Sequence, residues 1–317
     1  MKIVVLDLET LGNLDTTQLE QFGEVTLYPL TPLEKRIERV RDADIIVTNK
    51  VVIDREVFKN APKLKLIQVT ATGMNNVDLE EAKRRGVVVQ NVAGYSTESV
   101  AQQTIGMALN LIQDLCWLDR YSRKSYPHSP LFTKVLDWWE LNRKRWGIIG
   151  LGTIGRRVAQ LAEAFGAEVV YYSTTGKNYN PRYRRVGLEE LLTTSQIVSI
   201  HAPLTPETEG LIGVRELELM PEGTVLLNLG RGGIVDEEGL AEVLKRKKLL
   251  VGLDVFQQEP LPPNHPLLQL PAQIPGRLLL TPHTAWTSRE ARARLWRGVV
   301  EGIRKFLEGV EKGVRDG

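Results

Sequence analysis

Gly150-Leu151-Gly152-Thr153-Ile154-Gly155 reads G-x-G-x-x-G, and the residues on either side give this short pattern its weight. Ahead of it runs the apolar stretch Trp146-Gly147-Ile148-Ile149. Behind it Val158, Leu161, Ala162 and Phe165 recur at helical spacing. A glycine turn between strand and helix bends tightly, lets the backbone approach a pyrophosphate, and packs the helix close to the sheet. The free N–H groups at the helix N-terminus then face the anion. Gly150, Gly152, Thr153, Ile154 and Gly155 are therefore candidate dinucleotide-binding residues. The plainer reading is a glycine turn with no ligand.

Working outward, short β-branched runs alternate with amphipathic stretches. Downstream strands are expected at Trp146–Ile149, Glu168–Tyr172, Ile197–His201, Thr224–Asn228, Leu250–Asp254 and Leu278–Thr281. Upstream ones are expected at Lys2–Leu6, Val25–Tyr28, Asp44–Val47, Leu66–Val69 and Val87–Gln90. Strands separated by helices imply parallel sheets covered on both faces. The fold class is α/β, with two doubly wound parallel-sheet domains. The upstream unit lacks a glycine loop: its first strand runs into Asp7-Leu8-Glu9-Thr10, which would repel a pyrophosphate. The last helix, Ser288–Glu308, has no strand to cover in the second unit and is expected to return to the first. That makes residues 1–96 and 288–317 one discontinuous domain and 97–287 a Rossmann dinucleotide-binding domain. Between them a long helix is expected from a Ser96/Thr97 cap to about Leu118. Trp117, Tyr121, Tyr126, Phe132, Trp138, Trp139 and Trp146 follow within a short segment. So much apolar surface predicts a two-fold homodimer built on Ser96–Trp146.

Composition excludes several classes. A net charge of +2 offers no footprint for nucleic acid or an acidic membrane. No apolar run is long enough to span a bilayer, and the opening MKIVVLDLETLG is no secretory signal, so membrane association is not expected. One cysteine, Cys116, precludes an intrachain disulfide and fits a reducing, cytoplasmic setting. One cysteine and four histidines, His128, His201, His265 and His283, leave little material for a metal site, and none is expected.

A dinucleotide site of this kind usually has an acid about 20 residues on, which accepts hydrogen bonds from the adenosine ribose. Here that place reads Tyr171-Tyr172-Ser173-Thr174-Thr175-Gly176-Lys177-Asn178, with no Asp or Glu between Val169 and Leu188. Ser173, Thr174 and Lys177 are the cofactor candidates, with Arg182, Arg184 and Arg185 nearby. Tolerance of a 2′-phosphate and a merely solvated basic loop both fit, so the cofactor is NAD or NADP.

Three later segments each place a titratable or charged residue just past an apolar strand. They are Arg231 in Asn228-Leu229-Gly230-Arg231-Gly232-Gly233, Glu259 in Asp254-Val255-Phe256-Gln257-Gln258-Glu259-Pro260, and His283 in Thr281-Pro282-His283-Thr284-Ala285-Trp286. The carboxyl ends of strands are where α/β enzymes bind ligands. Each residue taken singly could be an exposed turn residue. His201, in Ile200-His201-Ala202-Pro203-Leu204, reads as wall beside the expected adenine end, and His265, in Pro262-Pro263-Asn264-His265-Pro266, as solvated.

These segments, with Val69-Thr70-Ala71-Thr72-Gly73-Met74-Asn75-Asn76-Val77-Asp78 and Asn91-Val92-Ala93-Gly94-Tyr95-Ser96-Thr97-Glu98-Ser99-Val100-Ala101 ahead of them, resemble the D-isomer-specific 2-hydroxyacid dehydrogenase family. The likeness is greatest to its glycerate dehydrogenase (hydroxypyruvate/glyoxylate reductase) branch and covers nearly the whole chain. It implies two similar α/β domains with the active site in the cleft between them, and hydride transfer between NAD(P)H and a small 2-oxo acid. By resemblance Arg231 binds substrate, Glu259 pairs with the histidine, and His283 is the general acid/base. Asp254 would face the nicotinamide amide and Thr104 the nicotinamide-side phosphate or ribose. His201, Pro203 and Leu229 would line the cofactor. Thr72, Gly73, Met74 and Trp286 would join Arg231 around the substrate. The chain departs from the family pattern in lacking the ribose-binding acid and in having Gln102 where Glu is common. Rival readings are formate, phosphite or a phosphorylated hydroxy acid as substrate, and a non-catalytic dinucleotide-sensing protein. Retention of Arg231, Glu259 and His283 together argues against the last.

Overall fold

In the computed structural model, which describes residues 1–177, 179–271, 274 and 276–315, the β-branched runs of the N-terminal third form one parallel sheet. Its strands are β1 (Lys2–Val5), β2 (Glu24–Leu27), β3 (Ile45–Thr48), β4 (Leu66–Val69) and β5 (Val88–Gln90). They lie in the order β2-β1-β3-β4-β5, the flavodoxin-like arrangement. β3 and β4 are buried at every position, which is why they read as mostly apolar runs, interrupted only by Thr48 and Gln68. Helices α1 (Arg36–Val40), α2 (Arg55–Asn60) and α3 (Leu79–Arg84) connect the strands. Asp54 and Asp78 cap α2 and α3 by accepting from backbone N–H groups of their first turns. Asp7 is no exposed repellent. It is buried and accepts the N–H groups of Asn49 and Lys50, and burial outweighs those bonds to push its carboxyl above the usual range.

This unit comprises Met1–Ser96 together with Thr287–Gly317, so the return crossing falls one residue earlier than expected. Asp316 and Gly317 of the expected 288–317 segment lie outside the described residues, as does Asn178 of the basic run. The C-terminal helix, Arg289–Arg315, starts one residue later than expected and runs further. Glycines bring it close to the sheet: a Cβ at Gly302 would lie 2.5 Å from the Gln68 amide oxygen.

The second unit, Thr97–Trp286, opens with α4 (Thr97–Gln113) and α5 (Leu115–Lys124). The single helix expected here is broken because Asp114 adopts the left-handed conformation, φ 56°. Its carboxylate accepts from Arg277 Nε at 2.8 Å, while the same guanidinium reaches the Leu111 carbonyl. The strands and helices that follow are β6 (Arg145–Ile149), α6 (Thr153–Ala164), β7 (Glu168–Tyr172), β8 (Arg184–Arg185), α7 (Leu188–Thr194) and β9 (Ile197–Ile200). Then come α8 (Val214–Leu219), β10 (Val225–Asn228), α9 (Glu237–Leu244), β11 (Leu250–Leu253) and β12 (Arg277–Leu280). All are parallel in the order β12-β11-β10-β9-β6-β7-β8, a Rossmann sheet extended by one strand. β8, too short to announce itself, was not expected. Neighbouring residues of one strand feed opposite faces: Leu227 joins Met107, Ile148 and Val158 on the α4–α6 side, and Leu226 joins Leu191, Leu240 and Val251 on the other. Of the seven aromatics in the 117–146 segment, Trp146 is fully buried, its indole N–H donating to Ser199 Oγ at 2.9 Å. Phe132 is 90% exposed and Trp138 48%.

Candidate active site

The glycine turn joins β6 to α6 as its pattern requires. Gly150 has φ 90°, and a Cβ there would lie 2.8 Å from the Ala202 nitrogen; a Cβ at Gly155 would collide with the Gly150 carbonyl oxygen. Gly152, by contrast, faces open space, and no side chain caps the N–H groups of α6. The geometry of this turn fits a pyrophosphate. Ser173, just past β7, has a buried hydroxyl with no partner among the described residues, Thr174 is half-buried and Lys177 exposed. The basic residues beyond are partly neutralised: Arg182 pairs with Glu163, Arg184 with Glu190 (2.5 Å), and Arg185 donates to the Gly176 carbonyl.

His201 follows β9, with both ring nitrogens buried and unpartnered among the described residues. Burial pushes its pKa down to about 3, so the ring is neutral at working pH and is no proton donor. Pro203 is exposed and Leu229 buried beside it in the same unit. Two further cofactor candidates are buried. Thr104 is fully buried, its hydroxyl donating to the Val100 carbonyl within α4, and it offers a ligand no surface. Asp254 is 1% exposed, and its oxygens accept from Thr281 Oγ1 (2.6 Å), the Thr284 N–H (2.9 Å) and the Ala285 N–H (2.9 Å). Its carboxylate thus braces the neighbouring loop.

That loop carries His283. The residue has φ 53°, a conformation a side chain adopts only when its surroundings hold it there. The hold is visible: Asp254 binds the two following N–H groups, and the His283 N–H donates to Thr281 O at 2.9 Å. The ring is thereby aimed at Glu259, with Nδ1 2.7 Å from Glu259 Oε2. Both side chains are about a quarter exposed. Glu259 Oε1 accepts the Phe256 N–H at 3.0 Å.

Arg231 follows β10, which lies beside β11 and its Glu259 loop, and β12 with His283 lies beyond. Asn228 anchors the turn by donating to the Arg231 carbonyl at 2.9 Å. The next residue, Gly232, presses so closely on the Phe256–Gln257 peptide that a Cβ would collide with the Phe256 oxygen. The Arg231 turn and the Glu259 loop are therefore in direct contact. Trp286 is half-buried in this unit. Thr72, Gly73 and Met74 follow β4 in the first unit, where the Asn91 amide donates to Thr72 O at 2.5 Å.

His265 is not solvated. It is buried, with Nε2 2.9 Å from Glu237 Oε2, and the Leu267 N–H donates to its Nδ1 at 3.3 Å. Proline-rich neighbours disguised it, and its partner Glu237 was missed altogether. No group of three or more metal-ligating side chains occurs among the described residues. No helix among them is long and apolar enough to cross a membrane.

Comparison with known proteins agrees with this geometry. Residues 105–285 match the family model for the NAD-binding domain of D-isomer specific 2-hydroxyacid dehydrogenases. The hydroxypyruvate reductase of Blautia hydrogenotrophica is 37% identical, over 98% of this chain and 98% of that protein. The glyoxylate reductase of Korarchaeum cryptofilum is 36% identical, over 92% of this chain and 89% of its own. Among solved structures, the D-lactate dehydrogenase of Aquifex aeolicus, complexed with NAD and lactic acid, superposes with a TM-score of 0.83 at 26% identity. That match covers 100% of this chain and 98% of the other.

Proposed function

Because the chain belongs to the D-isomer-specific 2-hydroxyacid dehydrogenases, which are NAD-binding oxidoreductases, we propose that it reduces hydroxypyruvate, glyoxylate or a similar small 2-oxo acid to the D-2-hydroxy acid. The observation that carries this reading is the 2.7 Å His283–Glu259 pair beside the Arg231 turn, in the unit that also holds the glycine cradle. The likeness to a hydroxypyruvate reductase and a glyoxylate reductase supports the substrate class.

The nicotinamide, when bound, supplies the hydride that joins the substrate's carbonyl carbon. Negative charge then grows on the carbonyl oxygen, and His283 neutralises it by giving up a proton. With Nδ1 committed to Glu259, the nitrogen that faces the reaction is Nε2. In the reducing direction the ring enters as imidazolium and leaves neutral, and the O–H bond of the alcohol takes its proton. Glu259 fixes the ring's orientation. Arg231 offers two parallel N–H donors to the substrate carboxylate, which a lysine would not match in geometry. Thr72, Gly73 and Met74, past β4 in the first unit, would offer backbone N–H groups to a carboxylate. Gly150, Gly152, Thr153, Ile154 and Gly155 would hold the pyrophosphate. Ser173, Thr174 and Lys177 would take the adenosine end, and with no acid there to repel it, a 2′-phosphate is accepted. The test is a panel of 2-oxo acids assayed with NADH and NADPH. Absence of turnover with every small 2-oxo acid would overturn the proposal.

A further inference from the structure

Glu237 and His265 play no part in the mechanism above, yet they repeat its central pair one layer deeper. Glu237 opens α9 directly after Asp236, whose side chain caps the helix. It is 5% exposed. One of its oxygens accepts the Gln257 N–H at 2.7 Å, and the other lies 2.9 Å from His265 Nε2. His265 Nδ1 accepts the Leu267 N–H, so the neutral ring carries its proton on Nε2 and donates it to Glu237.

The preceding residue makes the matching bond to the outer pair: the Phe256 N–H donates to Glu259, which holds His283. Two successive backbone N–H groups thus end on two different carboxylates, and each carboxylate ends on a different histidine. Residues 254–265 contain no helix or strand that would fix Glu259. Glu237 holds the Gln257 N–H, and Gly232 presses on the same peptide. Burial raises the Glu237 carboxyl above its ordinary value, and the Glu259 charge pushes the same way; the Gln257 N–H and His265 oppose both. A buried carboxylate stripped of its donor would abandon this arrangement, because an unpaired buried charge is costly.

We propose that Glu237 and His265 are positioning residues, an inner histidine–carboxylate pair that sets the Phe256–Gln257 peptide and through it the line from Glu259 to His283. The inference rests on the assignment of His283 and Glu259 above. His265→Leu keeps the bulk and removes the donor; His265→Gln keeps an N–H donor of similar reach. Misplacing a catalytic group by ~1 Å can cost about 10²-fold, so His265→Leu is expected to lower kcat at least about tenfold. The NADH dissociation constant stays within about twofold, as the glycine cradle lies elsewhere, and His265→Gln recovers most of the loss.

Two readouts separate positioning from a general loss of structure. With only four histidines in the chain, the His283 Nδ1 proton can be followed by NMR in cofactor-free protein. It should weaken through faster exchange in His265→Leu and return in His265→Gln. In a Glu259→Gln background, adding His265→Leu should cost nothing further, since both act through one bond. If His265→Leu fails to fold, Glu237→Gln is read the same way, because it sets two donors face to face. Unchanged kcat and an unchanged His283 signal would overturn the inference, and so would an undiminished cost in the Glu259→Gln background. Wild-type turnover in His283→Ala would instead sink the assignment beneath it. An inactive His283→Ala with an unaffected His265→Leu sinks this inference alone.

Discussion

His201 allows a sharp test of how the second unit is built. Its backbone N–H donates to the Ile149 carbonyl at 2.8 Å, which carries the ring inward beside the glycine turn. Neither ring nitrogen finds a partner among the described residues, and burial holds the pKa near 3. In the unfolded chain the same ring titrates near its ordinary value of about 6.5. The folded value is the lower one, so below about pH 6.5 the unfolded chain binds a proton that the folded chain refuses. Stability is therefore whole above about pH 6.5 and falls by about 1.4 kcal/mol for each pH unit below it, down to the folded value. Between about pH 6.5 and 4.5 this one ring removes about 2 kcal/mol, a sizeable share of the ~5–15 kcal/mol that holds an ordinary protein together. His201→Leu deletes the titration. The assay is urea unfolding of the cofactor-free protein at a series of pH values, wild type beside variant. Wild type is expected to lose about 2 kcal/mol more than the variant across that range. Parallel losses would refute the reasoning, and so would a His201 resonance that titrates near neutrality in the folded protein.

Other expectations are more direct. His283→Ala should lower kcat by about 10²–10⁴, the usual worth of general acid catalysis, with NADH binding measured by fluorescence almost unchanged; a folded variant with wild-type turnover removes His283 from its role. NADPH should be used at least as well as NADH, with any advantage shrinking as salt rises. Since Arg182 and Arg184 are already paired with acids, Lys177 carries most of that advantage, and Lys177→Ala should cost about 1 kcal/mol, or roughly fivefold in kcat/KM for NADPH. A strong NADH preference would mean that the loop's charge is spent on solvent. The exposed Leu131, Phe132, Val135 and Trp138 predict a two-fold dimer, so light scattering should find twice the chain mass at micromolar concentration and less in Phe132→Asp; a wild-type monomer would contradict it.

What the sequence displayed and what it hid divide along one physical line. Parallel strands buried on both faces must be apolar at nearly every position, so β3, β4, β9 and β10 stand out as runs of Ile, Val and Leu. Strand ends slipped by a residue because the last paired residue and the first loop residue differ in hydrogen bonding, not in type. Glycines pressed against backbone, such as Gly150 and Gly155, were legible because no other residue fits. Polar residues were legible only as far as their neighbours in sequence explain them. Asp114 looks like any helix-surface acid; the partner that goes with its left-handed turn, Arg277, lies 163 residues away. His265 looks like a loop residue among prolines, and the acid that receives it inside the protein is 28 residues earlier. Asp254 was singled out only by the family resemblance, and the donors that its buried carboxylate accepts from, Thr281, Thr284 and Ala285, lie across the next strand. A buried charge needs a partner, and the chain is free to draw that partner from any distance. Arg231, Glu259 and His283 were located by their places after strands, but their roles required a family resemblance, because a titratable residue past a strand has the same local pattern whether it turns outward or into a site. The pairing of His283 with Glu259 was reached only through that resemblance, and the pairing of His265 with Glu237 had no local signal at all, because each joins residues more than twenty positions apart that only the tertiary fold brings together.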